Sequence, residues 1–137
     1  MKNTHWILAV AILLFAFTAV VATCGAGGGS AAPITAVKTT DGKVSFSGTV
    51  QPILQDHCKR CHDVGGKSTL YLMTYEGVMK GGNMGPIVVP GDPDGSQIVG
   101  SVEKTKTPYM PPRVFPALTK DRIAAIRAWI AEGAEKN

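Results

Sequence analysis

The chain has few cysteines and few histidines, three of each in 137 residues. Three cysteines exclude the dense disulfide framework of a small secreted scaffold, and Cys58 and Cys61 lie too close in sequence to close a useful loop. No run alternates apolar and polar residues well enough to argue a β-sheet, and no internal repeat appears. The formal net charge of +4 is modest, and the basic residues are not interleaved with stacking aromatics on a reading element, which argues against nucleic-acid binding.

What is present begins with a run of sixteen apolar or small residues, Trp6 to Val21, behind Lys2. That pattern is expected of an export signal or a short membrane anchor, and sixteen helical residues reach only ~24 Å, short of a ~30 Å hydrocarbon core. Val21-Ala-Thr-Cys24 resembles the lipobox of bacterial lipoproteins, in which the cysteine is lipidated, although Thr23 departs from the usual small residue. An uncleaved anchor with an incidental thiol is the alternative. Residues 1–23 are thus expected to be a leader or anchor, and the Gly, Ala, Ser and Thr of 24–45 a flexible tether. Residues 46–137 remain as the folded domain, small enough to need a staple, a metal or a cofactor.

Helical signals dominate that domain, which is expected to be all-α. Val50, Ile53 and Leu54 are spaced for one helix face, with Ser47 or Thr49 as cap and Pro52 in the first turn. Thr74 to Lys80 reads as a second helix stopped by Gly81-Gly82, and Ser96 to Val102 as a third. Thr119 caps the last, with Ile123, Ile126, Trp129 and Ile130 on one side and an end near Gly133. The loops between are long and rich in Gly and Pro, yet they carry Met, Tyr, Val and Phe. Such loops around a small helical frame suggest that they wrap a large apolar object.

Cys58-Lys-Arg-Cys61-His62 is C-x-x-C-H, the pattern of covalent haem attachment. Two thiols three residues apart on a helix stand about 300° around, on nearly one face, where both can add to the vinyl groups of one haem c. His62 follows and can present its imidazole to the iron. A structural zinc would need a second half-site downstream, and a redox dithiol a preceding strand; neither signal is present. His57 lies ~140° around from His62 and is expected to be a bystander.

The sixth iron ligand must come from elsewhere. Met73 and Met79 sit in apolar helical settings and are expected in the core. Met84, in a glycine-rich loop, competes with Met110, in "TPYMPP" 48 residues after His62, where Pro108, Pro111 and Pro112 restrict the backbone. Met110 is favoured; an open or water-bound position is the further alternative.

These residues together resemble a class I c-type cytochrome of the small bacterial monohaem kind. The resemblance rests on Val50-Gln-Pro-Ile-Leu54, Cys58 to His62, Pro90-Gly-Asp-Pro-Asp-Gly-Ser96, Met110-Pro111 and Trp129-Ile-Ala-Glu-Gly-Ala134, and it covers nearly all of 46–135. It implies a fold in which the first and last helices cross, with one haem between them and the loops. It also implies that the carbonyl of Pro86, in Gly85-Pro86, accepts the N–H of His62 and tunes the iron.

His/Met ligation would suit one-electron transfer, since a filled coordination sphere leaves no place for substrate. The expected role is therefore an electron carrier rather than an enzyme, free or held in a respiratory or photosynthetic complex. It would be tethered on the outer face of a bacterial cytoplasmic membrane. Lys59, Arg60, Lys104, Lys106 and Arg113 would form a basic rim that steers acidic redox partners, unless they are an ordinary solvated surface. A haem enzyme or gas sensor with a labile sixth site is the competing function.

Overall fold

A computed structural model describes residues 34–137; the expected leader, the first part of the tether and Cys24 lie outside the described residues. Helices make up the framework, as expected of an all-α domain. Among the described residues there is no strand, only isolated bridges of Lys38 with Val44 and of Gly82 with Gly85. None of the described helices is long and apolar enough to cross a membrane.

The first helical segment opens earlier than its spacing suggests. A wide π-turn over Phe46–Val50 leads directly into α1, Gln51–His57, and the Gln51 N–H closes it on the Phe46 carbonyl. Its cap is Ser45, whose hydroxyl accepts from the Gly48 N–H at 3.0 Å, rather than Ser47 or Thr49. Thr49 is engaged elsewhere: its hydroxyl accepts from the Val37 N–H and donates to the Val37 carbonyl. Residues 37–45, which composition assigned to a tether, are therefore in contact with the helical frame, and Val44 and Ser45 are buried.

The remaining helices follow their caps. Helix α2 is the short Lys59–His62. Thr74 accepts from the Gly77 N–H ahead of α3, Tyr75–Lys80, which Gly81 ends. Helix α4 runs Gln97–Glu103; Ser96 precedes it, but its buried hydroxyl ties down the loop before the helix, accepting from Val89 N–H and donating to the Asp92 carbonyl. Thr119 caps α5, Lys120–Ala131, through the Arg122 N–H. At its far end the Gly133 N–H bonds to the Ile130 carbonyl and the Ala134 N–H to that of Trp129, the paired closure that favours a positive φ, here 104° at Gly133.

The two ends of the domain meet in an aromatic cluster. The Phe46 ring lies 5.2 Å from Trp129 and 5.4 Å from Tyr75, edge-on to the latter. Trp129 is 1 % exposed, and its indole N–H donates to the Glu135 carbonyl, so its polar atom is satisfied. The last residue joins in: the Ser47 N–H bonds to the Asn137 carbonyl. This packing brings α5 against the start of the first segment, as the family resemblance implied. Val50, Leu54, Val78, Ile126 and Ile130 complete a core that leaves Leu54 and Ile126 also facing the cavity described next.

Candidate functional site

Helix α1 ends at Cys58, whose backbone departs from ideal helical angles (φ −114°), and the chain resumes at once as α2. The N–H groups of Cys61 and His62 both bond to the Cys58 carbonyl, at 3.1 and 2.9 Å. This single tight turn carries Cys58, Cys61 and His62 to the wall of one cavity of ≈ 450 Å³. The thiols are not joined to each other. Burial, and then the neighbouring Cys61, pushes the Cys58 thiol up to about 11, so it is neutral at physiological pH.

His62 is 8 % exposed, and its orientation is fixed by the loop that follows. Asp63 adopts an extended conformation that ends α2; the chain then turns back so that Ser68 N–H meets the Cys61 carbonyl and Leu72 N–H the His62 carbonyl. The return sets the Leu70 carbonyl 3.0 Å from His62 Nδ1. A carbonyl can only accept, so Nδ1 carries the proton, and in the neutral ring Nε2 keeps its lone pair. Leu70, not Pro86, is thus the acceptor: Pro86 is exposed, outside the cavity lining, and the Nδ1 position is already taken.

The cavity is apolar where Leu54, Leu72, Ile98, Val102, Leu118 and Ile126 line it. Both candidate methionines are among its lining residues. Met110 is half-buried, and its N–H bonds to the Ser101 carbonyl at 2.9 Å, which ties its loop to α4. Gln97 adds a second tie through its side-chain amide to the Thr107 carbonyl at 3.0 Å. Met84 stands at the tip of the Gly82 to Gly85 turn and is 85 % exposed. Met73 is buried in the core and Met79 packs against it, as their settings suggested.

His57 lies at the edge of the same cavity, but its ring is engaged at the seam of α1 and α5. Its Nε2 contacts the Arg122 guanidinium and lies 3.3 Å from Asp56, while Arg122 and Asp56 pair at 2.8 Å. Burial and the Arg122 charge hold its imidazole below the usual histidine range, with Asp56 opposing. Of the basic rim, Lys59 pairs with Asp63 at 3.9 Å, Lys106 reaches back to the Asp94 carbonyl, Arg60 lies over the Phe115 ring, and Lys104 and Arg113 are exposed.

The donor set fits a covalently held haem. Two free thiols and an imidazole with an available lone pair share one wall of an apolar cavity. It does not fit a zinc site, because among the described residues no three His, Cys, Asp or Glu side chains are arranged to hold a metal ion. The Leu70 carbonyl, Gln97 and the Arg60 to Phe115 contact were not legible in the sequence. A backbone acceptor leaves no residue signature, and the other two depend on how the loop closes.

Residues 58–113 match the family model described as "Planctomycete cytochrome C". Comparison with curated proteins and with solved structures returned no significant match. The matched segment opens at Cys58 and runs past Met110, so it takes in both the cysteine turn and the methionine loop. By that match, and by the fit of the cavity to haem c, residues 58–113 are similar to a c-type cytochrome, which supports haem-based electron transfer as their chemistry.

Proposed function

We propose that the domain would hold one haem c through Cys58 and Cys61, with His62 and Met110 as iron ligands, and would shuttle single electrons. Each thiol would add across a vinyl group, forming a carbon–sulfur bond as the thiol proton passes to the neighbouring vinyl carbon. The observation that carries this reading is the convergence of Cys58, Cys61, His62 and Met110 on one apolar cavity. The haem supplies the electron-accepting iron. The chain's own part is to hold the imidazole through Leu70, to exclude water with apolar walls, and to hold the thioether through Ser101 and Gln97.

Met110 is preferred to Met84 because its backbone is anchored and its side chain half-buried, whereas Met84 is largely in solvent. A sulfur ligand raises the reduction potential and fills the last coordination position, which favours electron transfer over substrate chemistry. The basic residues Lys59, Arg60, Lys104 and Arg113 on exposed positions support docking of an acidic redox protein. The apolar run of residues 6–21 and Cys24 support export and tethering at the outer face of a bacterial membrane, by a lipid or an N-terminal anchor.

The test is the absorbance of the purified protein. Sulfur-to-iron absorption at the red end of the oxidised spectrum, together with no reaction of the reduced form with CO, is expected. Met110→Ala should abolish that absorption and lower the potential. High-spin iron that takes CO readily in the unmodified protein would instead favour a gas sensor or haem enzyme.

A further inference from the structure

Arg60 and Phe115 meet at the rim of the cavity, the guanidinium carbon 5.1 Å from the ring centroid. Both residues line that cavity. Arg60 stands between the two cysteines on α2, and Phe115 follows Met110 by five residues. The first half of the methionine loop is tied to α4 by backbone bonds of Thr105 and Lys106 to Gly100 and of Met110 to Ser101. In the second half the Phe115 N–H bonds to the Pro112 carbonyl, a contact that stays within the loop. Lys59 beside Arg60 pairs with Asp63, whereas Arg60 turns its planar cation to the aromatic face, a geometry that guanidinium suits better than ammonium.

We propose that Arg60 is a positioning residue for the sixth ligand: its contact with Phe115 latches the second half of the methionine loop onto the cysteine helix. The latch sets how readily Met110 yields its place to an added ligand. This rests on the reading of Met110 as the iron ligand. Releasing the latch leaves the Met110 N–H bond to Ser101 in place, so the sulfur still reaches the iron, but the loop can swing away more often.

The experiment is an imidazole titration of the oxidised, haem-loaded protein, followed through the loss of sulfur-to-iron absorption. Arg60→Gln and Phe115→Leu should each tighten apparent imidazole binding about fivefold, the factor to which an exposed cation–π contact corresponds. The double variant should bind no tighter than either single one, because both remove the same contact. Phe115→Tyr should keep the parent affinity. Additive effects in the double variant, or unchanged affinity in both singles, would overturn the latch while Met110→Ala still removed the absorption. Absorption that survives in Met110→Ala would overturn the ligand assignment and the latch with it.

Discussion

His62 Nδ1 and the Leu70 carbonyl, eight positions apart in sequence, stand 3.0 Å apart, and that contact aligns the imidazole for everything the cavity does. The loop returns so tightly that a side chain at Gly66 has no room. A Cβ there would lie 2.5 Å from the Cys61 carbonyl oxygen and 2.9 Å from that of Asp63. Gly66→Ala should therefore destabilise the domain by about 1–3 kcal/mol, the usual cost of overpacking, and speed exchange of the His62 Nδ1 proton. Denaturant titration and proton exchange by NMR check it; wild-type values of both would contradict the role given to the loop.

Trp129 holds the two ends of the domain together. It is nearly fully buried against Phe46, with its indole N–H on the Glu135 carbonyl. Trp129→Ala should cost about 3–5 kcal/mol, a large share of the stability of so small a domain. Urea unfolding of the haem-loaded protein should show a midpoint well below that of the parent.

Much of this frame was legible because caps and apolar spacing are local. Thr74, Thr119 and the Ile126, Trp129, Ile130 face mark their helices in sequence, and C-x-x-C-H marks the site. What depends on contacts distant in sequence was not. Ser45 caps the first segment while Thr49 is engaged by Val37, and nothing in a Gly/Thr-rich stretch signals that pairing. Likewise Gly85-Pro86 looked like the acceptor for His62 because it fits a motif. The acceptor is Leu70, delivered by the turn at Gly66, and any residue there would offer the same carbonyl.

The cap at Ser45 has its own test. Its hydroxyl accepts from the Gly48 N–H, so Ser45→Ala should cost about 1 kcal/mol. Ser47→Ala should cost less, because Ser47 is exposed, its hydroxyl meets only that of Ser45 at 3.3 Å, and its link to Asn137 runs through its backbone N–H. Equal losses at both positions, measured by denaturant unfolding, would contradict the assignment of the cap.

Histidine 57 gives the domain a pH dependence of definite sign. Burial and Arg122 lower its pKa in the folded state, so the folded protein binds this proton less readily than the unfolded chain does. Stability from this group is complete above the unfolded value of about 6.5, falls as pH drops from there towards the folded value, and then levels off. Unfolding measured between pH 7.5 and 5 should show this decline in the parent and a weaker one in His57→Gln. An identical decline in both would remove His57 as its source.

The central claim is that Cys58 and Cys61 each bond covalently to a single haem. Intact mass of the native protein under denaturing conditions tests it most directly. The expected mass is that of the polypeptide chain present plus one haem, with the haem lost when both cysteines are replaced by serine. A native protein whose denatured mass is that of the bare polypeptide would contradict it.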